Sequence, residues 1–338
     1  MSVEEPSRLG GRGPYPISSG VVRVMLIVNP FATATSAAGR DALAHTLGAR
    51  FHVDVEHTTH RGHAGELAAR AATVGYDAVL VHGGDGSVNE AVNGLLPSPA
   101  AIDDTPSGTR SRLPAIGVIP GGSANVFARA LGINGDPLQA TSQVAALLES
   151  GTTQRIGLGH TDDRWFLFNA GMGVDAVVVH AMEDKRHAGK AATPGRYVRT
   201  TIATFLRNST DPAIFTVEVP DRAPITGVRF GFVSNLSPWT YLGSREIRTN
   251  PTTGFDSRLG VFAATSMSVL RTLPLAARLL AQRDPRARHL YRDDDVAHVR
   301  FVADEPLDVQ MDGDYIGERR EMIFGHRAAV LDVVAPPL

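Results

Sequence analysis

The chain has 338 residues, which is long enough for two compact domains with separate apolar cores. Its 33 basic and 35 acidic residues nearly cancel, so the overall charge gives no reason to expect nucleic acid as a partner. Cysteine is absent, which excludes disulfides, thiolate zinc sites and cysteine nucleophiles and is compatible with a reducing cytoplasm.

Residues 1–20 are rich in glycine, proline and serine and contain no apolar signal-peptide core, so we expect a disordered lead-in there. Strand-like and helix-like segments then alternate. In chain order they are strand Val21–Val28, helix Gly39–Leu47, strand Phe51–Glu56, helix Gly65–Thr73, strand Asp77–His82, helix Val88–Leu95, strand Ala115–Ile119, helix Asn125–Leu131 and helix Thr141–Leu148. This alternation predicts an α/β domain with a parallel sheet over residues 21–157.

A change of pattern near Gly157 predicts a second, β-rich domain over residues 158–326. Its strand-like segments are short: Arg164–Asn169, Ala213–Val219, Val228–Ser234, Gly260–Ala264 and His298–Val302. Two helical segments interrupt them, Val177–Arg207 and Ser268–Ala281. This density of strands indicates an antiparallel β-sandwich or barrel. Residues 327–338 are candidates for a return to the first domain, and Pro97–Pro114 is predicted to be a surface loop.

A glycine-rich turn, Gly83-Gly84-Asp85-Gly86-Ser87, joins the third predicted strand to a helix. Exposed backbone amides and the positive end of a helix meet at such a turn, and both attract phosphate. The Ser87 hydroxyl can donate a hydrogen bond, and Asp85 can reach a magnesium ion or its bound water. An ordinary glycine-rich turn explains the same residues, so this turn alone leaves both interpretations open.

A second glycine turn, Pro120–Asn125, follows the next predicted strand and contains Gly122 and Ser123. Because parallel strands end at the same edge of a sheet, both turns are expected on the edge where α/β sheets bind ligands. Two such turns favour phosphate binding. Asn125 also fits the N-cap of the next helix.

Three polar positions lie near the ends of the first two predicted strands. Asn29-Pro30 ends the first strand, Thr33 follows with its hydroxyl, and Thr58 ends the second. The Gly-Lys-Ser/Thr ending of a P-loop and a GxGxxG sequence after the first strand are both missing, which argues against a Walker ATPase and an NAD-dependent dehydrogenase.

Several motifs occur in an order that is similar to one family. They are Ile27–Pro30, Thr58 ahead of Gly62–Ala64, Gly83–Glu90, Pro120–Arg129, Asn169–Asp175 and Asp312-Gly313-Asp314. Together they resemble the diacylglycerol kinase catalytic family, which includes bacterial lipid kinases and sphingosine kinases. The resemblance covers most of the chain from Val22, whereas the first glycine turn alone would also suit NAD kinases or phosphofructokinases.

The resemblance implies an N-terminal domain like that of NAD kinases and phosphofructokinases, a β-sandwich lipid-substrate domain, and transfer of phosphate from ATP to a lipid hydroxyl. It implies an ATP site made of Asn29, Pro30, Thr33, Thr58, Gly83, Gly84, Asp85, Gly86, Ser87, Asn89, Glu90, Gly122, Ser123 and Asn125. Asp85, Asp312 and Asp314 are the implied catalytic residues, one of which orients the attacking hydroxyl and accepts its proton. Asp85 and Asp256 are the implied ligands of Mg²⁺.

The chain departs from the family pattern at three positions. Ser87 replaces the usual threonine and keeps the hydroxyl. Asp314 replaces the usual glutamate and shortens the side chain by one methylene, so the choice of base between Asp312 and Asp314 stays open. Val126 stands where many members carry an aspartate, which puts the magnesium geometry in question. Taken alone, Asp312-Gly313-Asp314 is best explained as a hairpin turn.

Basic residues stand beside apolar ones in Val177–Arg207 and again in Arg271–Arg292. This pattern suits an anionic membrane surface as well as a solvated helix face. We expect a cytoplasmic protein with transient peripheral contact at the inner membrane surface, since no apolar run approaches the roughly 20 residues that span a bilayer. The alternatives are an NAD-kinase-like small-molecule kinase and a non-catalytic nucleotide- or lipid-binding homologue. A homodimer stays open, and the sequence does not identify the lipid.

Overall fold

The computed structural model of the chain describes residues 21–32, 36–101, 113–161, 163–173, 214–242 and 245–337. The predicted lead-in 1–20, Thr33, residues 102–112 of the predicted loop and the predicted helix Val177–Arg207 lie outside these described residues. Among the helices that are described, none is long and apolar enough to cross a membrane.

Strands and helices alternate in the first part of the chain, where apolar runs buried on both faces form the central strands. The elements are β1 (Arg23–Val28), α1 (Ala37–Gly48), β2 (His52–His57), α2 (His63–Val74), β3 (Ala78–Gly83), α3 (Asp85–Leu95), a 3-10 turn (Pro99–Ala101), β4 (Ala115–Pro120), α4 (Val126–Ala130) and α5 (Pro137–Glu149).

Strands dominate the described remainder of the chain. The elements of this part, twelve strands and one helix, are β5 (Gln154–His160), β6 (Trp165–Phe166), β7 (Asn169–Gly173), β8 (Phe215–Glu218), β9 (Ile225–Val228), β10 (Phe230–Ser234), β11 (Thr240–Leu242), β12 (Arg245–Ile247), β13 (Leu259–Ala264), α6 (Val269–Leu280), β14 (Leu290–Val296), β15 (His298–Met311) and β16 (Asp314–Val333).

The strands β2, β1, β3 and β4 lie side by side and are parallel. The later pairs are antiparallel, including β15 with β16 and β7 with β10. The predicted fold class, a parallel α/β sheet followed by antiparallel strands, is therefore confirmed. The end of β16 joins the two kinds of sheet, because Val333 pairs in parallel with Ile116 of β4 and the Val334 amide donates to the Ile116 carbonyl at 2.8 Å.

Several segment predictions were wrong in extent, and three of them concern the candidate site. The helix predicted from Val88 begins at Asp85, inside the glycine turn. The single strand predicted over Arg164–Asn169 is split into β6 and β7, because the amides of the intervening residues donate to a side chain and not to a neighbouring strand. The strand predicted to end at Val302 continues to Met311 and pairs with the long β16, where exposed charges at 318–321 hide the strand pattern in the sequence.

The helices α2 and α3 touch through glycine backbone. A Cβ atom added to Gly94 of α3 would lie 2.0 Å from the carbonyl oxygen of Gly65 in α2. Only glycine permits this approach. Since α3 starts at the first glycine turn, this contact helps to fix the position of the turn.

Gly94→Ala is expected to lower the free energy of unfolding by about 1 to 3 kcal/mol, since the added methyl group must push two helix backbones apart. Gly48→Ala is the matched control, because a Cβ at Gly48 of α1 meets nothing within 4 Å. Urea unfolding of both variants measures the difference. Equal stability of the two variants would contradict the proposed backbone contact.

Candidate active site

The first glycine turn places free amides at the start of a helix. Gly84 occupies the N-cap position, and α3 begins at Asp85. The amides of Asp85 and Gly86 have no hydrogen-bond partner within the described part of the chain. Such amides, together with the positive helix end, favour an anion at this point.

Asn29 holds the hydroxyl group of this turn. Its side-chain amide donates to the Ser87 hydroxyl oxygen at 3.0 Å, and its own oxygen accepts from the Phe31 amide at 3.0 Å. Because the Ser87 oxygen accepts from Asn29, its hydroxyl hydrogen remains available for another acceptor. Thr58 is buried just after the end of β2, and its amide donates to the Val28 carbonyl at 2.9 Å.

The second glycine turn packs directly on the first. The Gly121 amide donates to the Gly83 carbonyl at 2.8 Å, and a Cβ at Gly122 would lie 2.7 Å from the Gly84 Cα. Asn125 has a left-handed backbone, with φ of 48°, and its side chain bonds both the amide and the carbonyl of Gly122 at 2.9 and 2.8 Å. Asn125 occupies the predicted N-cap position of α4, but its side chain closes the turn and bonds no amide of the helix. Ser123 in the same turn is exposed.

Asp85 performs the capping role instead. Its two carboxylate oxygens accept from the amides of Val126 at 3.0 Å and Phe127 at 3.1 Å, at the start of α4. Burial raises the pKa of Asp85, and these two amides oppose that effect. The carboxylate therefore links the two glycine turns. Its predicted use as a magnesium ligand has to compete with both of these bonds.

Asn89 is a buried residue of α3 whose side chain connects this helix to Trp165 and Asp312. Its side-chain nitrogen donates to the Trp165 carbonyl at 3.0 Å and to Asp312 at 2.7 Å. Its oxygen accepts from Arg164 at 2.7 Å and from Asn93 at 3.1 Å. All four hydrogen-bonding positions are filled and the residue is fully buried. The Asn89 side chain therefore has no hydrogen-bonding position left for a nucleotide, whereas its neighbour Glu90 is half-buried.

Asp312 sits in a two-residue hairpin turn between β15 and β16. Asp312 and Gly313 both have positive φ, 51° and 80°, as type I′ turns require. The carboxylate accepts from the amides of Leu167 at 2.6 Å, Phe168 at 2.9 Å and Asn169 at 3.1 Å. The hairpin interpretation of this motif is thus correct, and the turn also fastens the segment between β6 and β7.

Burial raises the pKa of Asp312 to about 7, although the Leu167, Phe168 and Asn169 amides and the Asn89 side chain all lower it. The residue is 4 % exposed. A carboxyl group enclosed in this way has no free face toward a ligand, so its direct role is to hold other groups in place.

Asp314 differs from Asp312 in its surroundings. Its carboxylate lies beside the first glycine turn, since a Cβ added to Gly86 would be 3.6 Å from both oxygens. Two guanidinium groups flank it, Arg61 at 3.8 Å and Arg164 at 4.0 Å, and its side chain is 19 % exposed. The sequence prediction missed both arginines. Their only signal is position, because Arg61 immediately precedes Gly62 of one motif and Arg164 lies five residues before Asn169 of another.

The residues predicted to hold magnesium do not form a metal site. Asp256 lies exposed on a loop after Phe255, and Asp85 is bonded to two amides. Over the described residues there is no group of three or more histidine, cysteine, aspartate or glutamate side chains that could hold a metal ion. These donors do not fit a protein-held Mg²⁺.

Comparison with known proteins bears on the first part of the chain. Residues 23–160 match the family described as Diacylglycerol kinase catalytic domain. A diacylglycerol kinase of Bacillus subtilis is 37% identical over 116 residues, covering 34% of this chain and 33% of that protein. A diacylglycerol kinase of Staphylococcus saprophyticus is 31% identical over 127 residues, covering 38% and 36%. The chain thus spans about a third of the length of these two relatives.

The fold is also shared over most of the chain. The crystal structure of a diacylglycerol kinase from Bacillus anthracis has a TM-score of 0.67 at 17% identity, over 95% of this chain and 99% of that one. The predicted resemblance to the diacylglycerol kinase catalytic family is confirmed for residues 23–160, the stretch that matches the family model.

Asp312→Asn is expected to lower the free energy of unfolding by about 1 to 3 kcal/mol, because the new amide group turns donor hydrogens toward backbone donors. Asp314→Asn is the control. It removes ion pairs at a partly open site and is expected to change stability by less than about 1 kcal/mol. Chemical unfolding distinguishes them, and equal losses would refute the difference in roles.

The stability difference between wild type and Asp312→Asn is expected to depend on pH. The folded pKa of about 7 exceeds the ordinary value of 3.8, so the folded protein retains a proton that the unfolded chain releases between these values. The contribution of Asp312 is thus fully present below about pH 4 and is lost as pH rises through about 7. The free energies of unfolding of wild type and Asp312→Asn should therefore differ less at about pH 7.5 than at about pH 5. The same difference at both pH values would contradict the raised pKa.

Proposed function

We propose that this protein is an ATP-dependent lipid kinase, which transfers the γ-phosphate of ATP to a hydroxyl group of a diacylglycerol or sphingoid lipid. One observation carries the proposal: the partly open carboxylate of Asp314 lies beside Gly86, at the amide-rich start of α3. A phosphate-binding helix end and a candidate base thus meet at one point. The family match of residues 23–160 supports the same reaction class.

The groups around this point suit a triphosphate. The amides of Asp85 and Gly86 and the Ser87 hydroxyl would bind phosphate oxygens. A carboxylate next to a phosphate is repelled by it, and the guanidinium groups of Arg61 and Arg164 offset this repulsion because both lie within 4.0 Å of Asp314. Neutralisation of charge and positioning of the reactants are the main requirements of phosphoryl transfer.

Asp314 is assigned the role of base. It would orient the lipid hydroxyl and accept its proton while the hydroxyl oxygen bonds to the γ-phosphorus and the bond to the β–γ bridging oxygen breaks, releasing ADP. Asp312 is assigned a positioning role, since it is enclosed by four donors and holds the hairpin that carries Asp314. This assignment chooses between the two aspartates that the sequence left open.

Mg²⁺ would supply charge neutralisation for the phosphates. It remains a prediction for this chain, because Asp85 and Asp256 do not form a metal site, and no step of the proposed transfer is assigned to it. The division into a nucleotide domain at 21–157 and a lipid domain at 158–326 is part of the same proposal. A lipid acceptor also requires transient contact with the inner membrane surface.

Asp314→Asn is expected to lower kcat for phosphate transfer from labelled ATP to diacylglycerol in mixed micelles by roughly 100-fold or more, the usual contribution of a positioned base. ATP should bind at least as tightly as to wild type, because a negative charge next to the phosphates is removed. Asp304→Asn is the control, an exposed position on β15. Measured kcat and nucleotide affinity separate the two effects.

Wild-type transfer by Asp314→Asn would refute the assignment of the base. An acceptor panel containing diacylglycerol, sphingosine and NAD tests the reaction itself. Transfer to NAD and to no lipid would favour the NAD-kinase-like alternative. ATP binding without transfer to any acceptor would favour a non-catalytic homologue.

A further inference from the structure

The outward side of α6 is apolar. Leu270, Leu273 and Leu280 are 88%, 67% and 40% exposed. At about 100° per residue, one side of this helix carries all the strongly exposed apolar positions among its described side chains. These positions are Leu270, Leu273, Pro274, Ala277, Leu280 and the following Ala281. A helix on a water-facing surface usually presents polar residues there.

The opposite side anchors the helix to the sheet. Leu275 is buried against Phe232 and Phe262. The Arg245 guanidinium donates to the Leu280 carbonyl at 2.9 Å and so ties the end of the helix to β12. The apolar outer side is therefore a fixed feature of a packed helix.

The sequence of α6 and the residues just after it is strongly basic. The segment from Arg271 to Arg288 contains five arginines and a single acidic residue, Asp284. Asp284 pairs with Arg286 and Arg292. Arg271, Arg283 and Arg288 are exposed, and none of these three forms an ion pair with a carboxylate of the described chain.

We propose that this area, called here the α6 surface and consisting of Leu270, Leu273, Leu280, Arg271, Arg283 and Arg288, docks on the surface of an anionic lipid bilayer. The leucines would enter the boundary of the acyl chains, and the arginines would lie at the lipid phosphates. The inference rests on the proposed function, because a kinase of bilayer lipids must reach them.

The positive charge of the α6 surface favours a bilayer over a second copy of the chain as its partner. In a symmetric dimer through the α6 surface, the unpaired arginines of one copy would face those of the other, and like charges in contact oppose binding. In an anionic bilayer, the lipid phosphates would attract the arginines, and the acyl-chain region would accept the side chains of Leu270 and Leu273.

The helix α6 is connected to the candidate site by a series of contacts. Phe232, on which Leu275 packs, stacks on Trp239 with ring centroids 5.2 Å apart. The Trp239 carbonyl accepts from the Asn169 side chain at 3.5 Å, and the Asn169 amide donates to Asp312. Docking through α6 would therefore act on a helix that is linked by successive contacts to the residues around Asp312.

The test is co-sedimentation of the full chain with phosphatidylcholine vesicles, with and without phosphatidylglycerol. Wild type should bind the anionic vesicles and lose affinity as salt is raised. The double variant Leu270→Asp/Leu273→Asp should bind them at least tenfold more weakly. Leu138→Asp on α5, where Leu138 is 50% exposed, is the matched control and should bind like wild type. Thermal unfolding checks that all three proteins are folded.

Equal binding by the double variant and wild type would overturn the proposal, as would absence of wild-type binding to anionic vesicles. Self-association of wild type that the double variant abolishes would also overturn it, since a second copy would then cover the α6 surface. Phosphate transfer to a short-chain, water-soluble diacylglycerol should be unchanged in the double variant. If no protein transfers phosphate but vesicle binding still depends on Leu270 and Leu273, the proposed function fails and the docking surface stands.

Discussion

The carboxylate of Asp312 is the contact on which the rest of the site depends. It accepts hydrogen bonds from three consecutive amides at Leu167–Asn169 and from the side chain of Asn89 on α3. Three separate pieces of chain meet there: the helix that starts at the first glycine turn, the segment between β6 and β7, and the β15–β16 hairpin. Because Asp314 is the next strand residue after that hairpin turn, fixing Asp312 also fixes Asp314 over Gly86. In the proposed function, the buried carboxylate of Asp312 positions the site and the partly open carboxylate of Asp314 acts as the base.

A second constraint keeps the two glycine turns in contact. Gly84 and Gly122 approach so closely that a side chain on Gly122 would collide with backbone, and Asp85 spans the pair by capping α4. The residue that the motif presents as a metal ligand therefore has a structural use of its own. This arrangement leaves the start of α3 beside the carboxylate of Asp314 and the two nearby guanidinium groups.

The sequence was sufficient for the features that depend on local pattern. The parallel strands β1, β3 and β4 are continuous apolar runs, both glycine turns follow strands directly, and the Asp-Gly pair forms the hairpin turn that its residues favour. Features that depend on contacts between residues far apart in the sequence could not be predicted from it. Asn89 and Asp312 are 223 positions apart, so nothing local indicates that they bond to each other. Arg61 and Arg164 carry no motif of their own, and β16 was missed because exposed charges interrupt its alternation.

The central claim is that a triphosphate lies at the start of α3 with its terminal phosphate facing Asp314. The most direct measurement is a crystal structure of the protein with a non-hydrolysable ATP analogue. The account predicts phosphate oxygens within hydrogen-bond distance of the Asp85 and Gly86 amides, and the γ-phosphate between Asp314 and Arg164. A nucleotide bound with its phosphates away from α3, or with the γ-phosphate out of reach of Asp314, would contradict it.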